Sequence, residues 1–321
     1  MAQFIKKIQN FAHREDLWKK DSKILVGVSG GPDSVCLLEM LVFLAKKYNF
    51  QLQIAHVNYG LRGQDSKADE LFVQALGKKH GLKVNRLKPK KTAYEGNLEN
   101  ALREIRYAYF EKLRQQLGFD LIAVGHNQND QAETVLLKLL RGAGLNGLSA
   151  MKPKTEKIIR PLLQTSRQEI LNYLKENEVP FCLDKTNNQN DFTRNKIRNQ
   201  LIPLLEKDFN PAISETLSTL SYSIADDYAF ISKTATTFVK TILKKEKAVF
   251  TEESFLALPP AIQRQALRQI FCALCKQSQD FSFQQIEELR KIIKSPKSKT
   301  QNASIGGLKI SKKGATIEIF C

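Results

Sequence analysis

The sequence predicts an α/β fold in which a doubly wound parallel sheet is followed by a mainly helical C-terminal domain. Over the first two hundred residues, short apolar runs of strand length alternate with longer stretches of helical spacing. Strands separated by helices of this length form βαβ units, whose right-handed crossovers cover a parallel sheet on both faces. After about residue 210 the pattern changes, because Pro211 interrupts the chain and two long helical stretches follow.

Each predicted element has its own signal. The strands are short apolar or alternating runs, at residues 23–28, 51–57, 82–87 and 120–124. The helices between them show apolar residues every three or four positions, at residues 34–47, 66–80, 98–117 and 130–140. The second half predicts helices over 212–245 and 261–294, and two short strands over 303–311 and 315–320. We therefore expect two domains, residues 1–210 and residues 211–321.

The charge of the chain indicates the kind of partner it binds. Fifty Lys and Arg residues stand against 33 Asp and Glu residues, which gives a net charge of +17. Such a surplus favours polyanions, because a protein that neutralises phosphates releases their counterions. The alternative is a charge spread over the surface that only keeps the protein soluble.

No targeting or membrane segment is expected. The N-terminus carries no apolar stretch of signal-peptide length, and the longest apolar run is broken by Glu39. We therefore expect a cytoplasmic protein that does not enter a membrane.

The five cysteines do not suggest a framework of disulfide bonds, since their number is odd. Cys36 lies in an apolar helical run and is expected to be buried. Cys272 and Cys275 form a single CxxC pair, without a second pair or a His cluster to complete a zinc site. We interpret them as packing residues rather than as a metal or redox site.

A glycine-rich turn joins the first strand to the first long helix, with the sequence Ser29-Gly30-Gly31-Pro32-Asp33-Ser34. Adjacent glycines let backbone N–H groups approach an anion, and the helix dipole points its positive end at the same place. Pro32 suits the first helical position, the hydroxyls of Ser29 and Ser34 add donors, and Asp33 is a candidate Mg²⁺ ligand or helix cap. The turn is predicted to bind nucleotide phosphates; the alternative is an ordinary βα turn with Asp33 or Ser34 as N-cap.

Two other nucleotide-binding signatures do not occur in the sequence, namely GxxxxGK[ST] and a GxGxxG that follows a strand. Their absence weakens the interpretation as a P-loop kinase or a dehydrogenase. The SGGxDS string after the first strand resembles instead the signature of the PP-loop ATP pyrophosphatases. That resemblance implies that ATP is held by its β- and γ-phosphates while a substrate oxygen attacks the α-phosphate and pyrophosphate leaves.

Further motifs narrow the resemblance. They are HVNYGLR at 56–62, NALREIRY at 100–107, GHNQNDQAET at 125–134, LRGAGLNGL at 140–148, RPL at 160–162, DKTN at 184–187 and RNKIR at 194–198. In this order they resemble the tRNA(Ile)-lysidine synthases over about residues 20–210. The resemblance implies an ATP-dependent ligase that uses Mg²⁺ and adenylates the C2 oxygen of the wobble cytidine in the CAU anticodon of tRNA(Ile). Free L-lysine then attacks C2 through its ε-amine and AMP leaves, which changes decoding to AUA and charging to isoleucine.

Residues 1–210 would then be the catalytic domain and residues 211–321 an accessory, tRNA-binding domain. Asp130 and Glu133 lie three apart on one helix, so they share a face and can bind a cationic lysine or accept its proton. The alternative for this pair is a helix capping box. The remaining catalytic candidates are Asp33 of the loop, His126 after the fourth strand, and Arg103 and Arg194, which can neutralise phosphate.

Other positions are candidates of lower rank. Arg106, His56 and Arg62 belong to the same motifs. Tyr59 stands where the family usually has His, which puts only that position's part in catalysis in doubt. Basic runs over 83–91, 240–247 and 291–299 are expected to follow RNA phosphates in part, and the other interpretation is a solvated surface. A homodimer is left open.

Two alternative functions remain. A PP-loop tRNA thiolase would need cysteines near the loop, and Cys36, Cys272 and Cys275 do not suit that role. A non-catalytic RNA-binding protein would have no need for an intact loop together with Asp130 and Glu133. The ligase is therefore the preferred interpretation.

Overall fold

The computed structural model describes residues 2–61, 63–89, 98–182, 193–275, 281–296 and 300–321. Packing divides the chain into two compact units, Met1–Ser223 and Ile224–Cys321.

The first unit alternates helices and strands, as predicted. Its helices are α1 (Ala2–Arg14), α2 (Pro32–Tyr48), α3 (Gln64–Lys79), α4 (Leu98–Leu117), α5 (Gln128–Leu140), α6 (Leu145–Leu148), α7 (Arg167–Glu176), α8 (Thr193–Lys196) and α9 (Ile202–Asp208), with a π-helical segment, Ile197–Leu201, between α8 and α9. Its strands are β1 (Lys23–Gly27), β2 (Gln51–Val57), β3 (Val84–Leu87), β4 (Leu121–Ala123), β5 (Lys154–Thr155) and β6 (Ile158–Ile159).

These strands form one sheet in the order β3-β2-β1-β4-β6-β5. All neighbours are parallel except β5, which pairs antiparallel with β6 at the edge. The sequence did not predict β5 and β6, because strands of two residues carry no periodic signal. The α/β prediction is confirmed.

Helices cover both faces of this sheet. Ile24 and Val26 of β1 join the apolar core that contains α1, α2 and α7. Leu25, which points the other way, packs in the cluster that contains Phe110 of α4. Because the chain runs from β1 outward through β2 and β3 and then returns to β4, the order reverses between β1 and β4. Doubly wound sheets bind ligands at the carboxyl ends of the strands at such a reversal.

The second unit contains the end of α10 (Ile213–Ile242), then β7 (Lys247–Thr251), α11 (Glu252–Leu256), α12 (Pro260–Cys275), α13 (Phe283–Ile293), β8 (Gln301–Ile305), β9 (Leu308–Lys313) and β10 (Thr316–Phe320). The last three strands and β7 form an antiparallel sheet in the order β7-β10-β9-β8.

Two predictions for this unit differ from the structure, and one strand was missed. The predicted helix over 261–294 is two helices, α12 and α13. The predicted strand over 303–311 is two strands, because Gly306 and Gly307 have φ values of 58° and 90° and make a two-residue hairpin turn. Strand β7 was not predicted. The unit is helical with a four-stranded sheet, which is more β structure than expected.

The division between the units falls inside α10, after Ser223, and not at residue 210. The first part of α10 belongs to the first unit because Leu217 joins the apolar cluster of Ala132 and Leu136 from α5. Ser221 also accepts a hydrogen bond of 3.0 Å from Gln131 Nε2. Among the described residues, none of the helices has the length and apolar character needed to span a bilayer.

Candidate functional site at the carboxyl ends of β1 and β4

The glycine-rich turn closes around the hydroxyl of Ser34. Ser34 Oγ accepts a hydrogen bond of 3.1 Å from the Ser29 backbone N–H and donates one of 2.9 Å to the Gly31 carbonyl. Gly30 has φ +101°, a conformation that residues with a Cβ rarely adopt, so glycine is required there. The backbone is thus folded tightly at the N-terminus of α2, where an anion is stabilised.

Helix α2 begins with Pro32 directly after its N-cap, Gly31, and no side chain caps it. Pro32 at the first position matches the prediction, because proline has no N–H that needs a partner there. Neither Asp33 nor Ser34 is the N-cap, so the interpretation of this segment as an ordinary capped βα turn is wrong. Asp33 does not cap the helix, and its carboxylate instead makes hydrogen bonds to residues of other elements.

Asp33 joins the turn to two other elements. Its Oδ1 accepts a hydrogen bond of 2.9 Å from Asn127 Nδ2, and its Oδ2 accepts one of 2.9 Å from an Arg167 guanidinium nitrogen. Burial raises the pKa of Asp33, repulsion from Asp130 adds to this, and Arg167 and Asn127 oppose it. Neither Asn127 nor Arg167 was predicted from the sequence, and only Asn127 lies within a motif that could have pointed to it.

The close approach of β4 to α2 depends on Gly125. A Cβ at this position would lie 2.9 Å from the backbone carbon and oxygen of Asp33. Glycine therefore lets the chain that leaves β4 pass directly against the start of α2. As a result, His126, Asn127 and Asp130 lie beside the glycine-rich turn, at the end of the sheet where this fold binds ligands.

Asn127 also begins helix α5. Its side chain accepts a hydrogen bond from the Asp130 backbone N–H, and the Asp130 carboxylate accepts one from the Asn127 backbone N–H. The capping box is therefore formed by Asn127 and Asp130. The alternative prediction of a box between Asp130 and Glu133 is wrong, because α5 begins at Gln128, two residues earlier than the sequence suggested.

Glu133 points into a buried cluster with two arginines. Its exposed fraction is 1%. Arg194 Nε donates to Glu133 Oε2 at 2.9 Å, and Arg198 donates to both carboxylate oxygens at 2.5 and 2.9 Å. Arg194 comes from α8 and Arg198 from the π-helical segment that follows it. Arg198 was quoted in a motif but was not chosen as a site residue.

The same arginines reach Asp130, which lies one turn earlier on α5. Arg198 donates to Asp130 Oδ1 at 3.1 Å, and Arg194 lies 3.6 Å from the same oxygen. Burial by itself raises the pKa of Asp130, but Arg194 and Arg198 outweigh it and lower the pKa. Asp130 is therefore an ionised carboxylate at neutral pH, held within a network of guanidinium groups.

His126 is a neutral imidazole. Burial lowers its pKa to about 3, with Asp130 acting against this and the nearby Arg160, Arg103 and Arg106 acting with it. Its Nδ1 has no hydrogen-bond partner among the described residues. Arg103 lies over the ring of Tyr107, with Cζ 4.9 Å from the ring centroid. The structure thus brings His126 and Arg103 into the same neighbourhood as Asp130.

The lower-ranked residues have local roles. His56 is 3% exposed, and its Nδ1 lies 2.8 Å from the Val28 carbonyl, directly behind the glycine-rich turn. Tyr59 Oη donates to the Leu102 carbonyl at 2.8 Å. Arg62 and the DKTN motif at 184–187 lie outside the described residues.

The basic runs are partly neutralised by local ion pairs. Arg86 and Lys88 pair with Glu70 at 2.8 and 3.0 Å, and Lys247 pairs with Glu318 at 3.1 Å. Residues 90–91 and 297–299 of these runs lie outside the described residues.

Two predictions about cysteines are wrong. Cys275 is bonded to Cys321, and Cys272 is exposed rather than packed. More relevant to the site, Cys182 lies beside the glycine-rich turn: its backbone N–H donates to the Gly30 carbonyl at 2.9 Å. A cysteine therefore does lie near the loop, although Cys182 was not among the cysteines weighed against the thiolase alternative. Cys36 is buried, as predicted.

Comparisons with known proteins show which families the chain resembles. The profile of a family described as a PP-loop domain matches residues 1–205. The chain is 36% identical over 290 residues to a tRNA(Ile)-lysidine synthase of Clostridium perfringens, covering 88% of this chain and 62% of the relative. It is 34% identical over 303 residues to a tRNA(Ile)-lysidine synthase of Caldanaerobacter subterraneus, covering 92% and 64%. The chain thus spans about three-fifths of the length of these curated relatives.

A solved structure shares the fold. The U34-tRNA thiolase NcsA from Methanococcus maripaludis, with its [4Fe-4S] cluster, matches with a TM-score of 0.58 at 20% identity, covering 70% of this chain and 80% of that one. Identity at this level supports the architecture alone.

Proposed function

The chain belongs to the PP-loop domain family, and we propose that it is an ATP-dependent ligase that joins free lysine to a tRNA cytidine. The observation that carries this proposal is the 2.9 Å hydrogen bond between Asn127 and Asp33. It ties the phosphate-binding turn to the polar start of α5, so that nucleotide phosphates and a second substrate meet at one place. The relatives named tRNA(Ile)-lysidine synthase support lysine and tRNA(Ile) as the substrates.

In the proposed first step, the turn from Ser29 to Ser34 holds the β- and γ-phosphates of ATP. The C2 oxygen of the wobble cytidine of a CAU anticodon attacks the α-phosphorus. A bond forms between that oxygen and phosphorus, and the bond to pyrophosphate breaks. The backbone amides at the start of α2 stabilise the charge on the departing pyrophosphate. We assign Arg103 to neutralising charge on the α-phosphate.

In the proposed second step, the ε-amine of lysine attacks C2, the bond from C2 to oxygen breaks, and AMP leaves. The amine has an ordinary pKa of about 10.4 and must lose a proton before it attacks. Asp130 is ionised and lies at the edge of the site, so we assign it to the ammonium group and to the first acceptance of its proton. His126, which is neutral, orients substrates by hydrogen bonding.

We propose that Glu133 acts on the lysine less directly than the sequence suggested. Both of its oxygens are bound by arginines, and its exposed fraction is only 1%. We therefore assign Glu133 to positioning Arg194 and Arg198, which in turn set the charge around Asp130. The alternative is direct contact between Glu133 and the lysine. The two roles predict different losses of protein stability when Glu133 is replaced.

Asp33 is the residue of the turn that could bind a Mg²⁺ ion through a carboxylate oxygen. Repulsion from Asp130 contributes, after burial, to the raised pKa of Asp33, and a divalent cation bound to Asp33 would offset it. A bound Mg²⁺ would offset the negative charge of the ATP phosphates. Asn127 and Arg167 hold the Asp33 carboxylate in a fixed orientation for that purpose.

The test is incubation of the protein with ATP, one labelled amino acid at a time, and a CAU-anticodon transcript. We expect label from lysine alone to join the RNA, with one AMP and one pyrophosphate per event. Asp33→Asn should reduce pyrophosphate release on the order of 100-fold, since the carboxylate that would bind Mg²⁺ and that fixes Arg167 is lost. Asp208→Asn, at an exposed position on α9, is the matched control.

Other outcomes would identify other functions. ADP in place of AMP would contradict attack at the α-phosphate. Incorporation of sulfur would favour a PP-loop tRNA thiolase, for which the position of Cys182 beside Gly30 is the relevant observation. RNA binding without nucleotide turnover would indicate a non-catalytic RNA-binding protein.

A further inference from the structure

Four buried polar atoms near the site have no hydrogen-bond partner among the described residues. One is His56 Nε2 behind the turn, and the three near one another are His126 Nδ1, Tyr107 Oη and Arg160 Nε. A buried polar atom left without a partner costs about 1–3 kcal/mol, so three together are rarely tolerated without a reason. One reason is a ligand that supplies the missing partners.

Arg160 is held rigidly at the end of β6. It is 6% exposed. One guanidinium nitrogen donates to the Lys152 carbonyl at 2.7 Å and to Thr155 Oγ1 at 3.2 Å. These bonds to the β5–β6 hairpin fix the side chain while leaving Nε–H unused. The Val124 N–H bonds to the Ile159 carbonyl at 3.1 Å, so His126 and Arg160 leave neighbouring strand ends.

Tyr107 reaches the same place from helix α4. Its hydroxyl lies close enough to the Arg160 guanidinium for charge and a loose hydrogen-bonding contact to act on the pKa of Arg160. Neither Tyr107 Oη nor Arg160 Nε, however, makes a hydrogen bond of normal geometry among the described residues. The Tyr107 ring is flanked by the guanidinium groups of Arg103 and Arg106, whose Cζ atoms lie 4.9 and 5.4 Å from its centroid. Two unused donors therefore lie among three positive charges.

Charges of both signs lie near His126. Burial lowers the pKa of its imidazole, Asp130 raises it, and Arg160, Arg103 and Arg106 lower it further. The same neighbourhood therefore contains a carboxylate and a group of guanidinium ions. A ligand with a positive and a negative end would pair with both kinds of group at once.

We propose that Arg160 and Tyr107 form the subsite for the α-carboxylate of the amino-acid substrate, whose ammonium end is directed toward Asp130. This inference rests on the proposed function and makes it more specific. Arg160 Nε–H and Tyr107 Oη–H each donate to the carboxylate, and Arg103 and Arg106 add positive charge around it. The subsite distinguishes a free amino acid from a simple diamine, which has the ε-amine but no carboxylate.

The first experiment needs no variant. The rate of ligation to a CAU-anticodon transcript is measured with L-lysine, L-lysinamide and 1,5-diaminopentane as competing amines. We expect KM for the two amines without a carboxylate to exceed that for lysine by about tenfold or more, because a charge-assisted hydrogen bond is lost and buried donors stay unpaired. Equal use of lysine and lysinamide would overturn the proposal while leaving the proposed function intact.

The second experiment uses Tyr107→Phe, which removes only a hydroxyl that makes no hydrogen bond of normal geometry among the described residues. We expect KM for lysine to rise about tenfold while KM for ATP and for lysinamide stay unchanged. Tyr109→Phe, half-buried on the same helix, is the control. Weaker tRNA binding with an unchanged KM for lysine would identify an RNA phosphate as the occupant and overturn the proposal. If the unaltered protein ligates no lysine, the proposed function fails together with this inference.

Discussion

Replacing Glu133 with Gln tests whether this residue positions the arginines of the site. The substitution keeps the shape of the side chain and one acceptor oxygen but removes the negative charge. Glu133 accepts three hydrogen bonds, of 2.9, 2.5 and 2.9 Å, from Arg194 and Arg198. Removing one partner of a fully buried ion pair costs about 3–5 kcal/mol. Here the two arginine side chains keep 21% and 34% exposure, which lowers the penalty for leaving them unpaired.

We therefore expect the free energy of unfolding of Glu133→Gln to fall by about 2–3 kcal/mol. The measurement is a urea titration followed by tryptophan fluorescence. The chain contains one Trp, and Trp18 is 8% exposed in the core of the first unit, so the signal reports unfolding of that unit. Lysine ligation should fall as well, because Arg194 and Arg198 lose their fixed positions around Asp130.

The matched control is Glu111→Gln. Glu111 is 42% exposed and pairs with Arg114 on the same helix at 2.7 Å. Exposed pairs of this kind contribute about 0–1 kcal/mol, so the control should change stability little. If Glu133→Gln lost no more stability than Glu111→Gln while lysine use still fell, the positioning role would be refuted. Direct contact between Glu133 and the lysine would then be favoured.

Three further predictions address other parts of the chain. Gly125→Ala should reduce stability by about 1–3 kcal/mol and abolish pyrophosphate release, because its Cβ would meet the Asp33 backbone at 2.9 Å. Gly144→Ala, whose Cβ would meet nothing within 4 Å, is the control, and equal losses in both variants would contradict this reasoning. Although burial opposes it, hydrogen bonds from Asn58, Lys88 and Arg86 lower the pKa of Glu70 from 4.5 to about 2. The stabilisation from Glu70 is therefore complete above pH 4.5 and lost as the pH falls toward about 2. In acid titrations, the free energy of unfolding of Glu70→Gln should decline less steeply than that of the unaltered protein, and parallel curves for the two would contradict this assignment. Finally, tRNA affinity should fall linearly with salt on logarithmic axes, in keeping with the net charge of +17, whereas a flat response would mean that the basic surplus does not contact RNA.

Local patterns predicted the first unit better than the second. The predicted helix over 98–117 matches α4, and the strand before the glycine-rich turn matches β1 within a residue. Strong periodicity and terminating glycines define such elements from neighbouring residues alone. The hairpin of β8 and β9 was read as one strand, because two glycines in an alternating run leave the turn ambiguous without φ values.

The extent of the first unit depended on contacts that are distant in sequence. Pro211 suggested a boundary near residue 210, but Leu217 packs with residues of α5, so the start of α10 belongs to the first unit. A composition change marks where a chain turns, whereas a domain boundary is set by which apolar surfaces bury each other.

The amino-acid sequence by itself determined the alternating architecture and the glycine-rich turn, because both depend on the conformational preferences of adjacent residues. Only the tertiary structure decided which side chains complete the site. Asp33 meets Asn127 and Arg167 across 94 and 134 residues, and Glu133 meets Arg198 across 65. Such partners are brought together where the carboxyl ends of β1 and β4 adjoin, and burial there, rather than local pattern, sets their charge and hydrogen bonding.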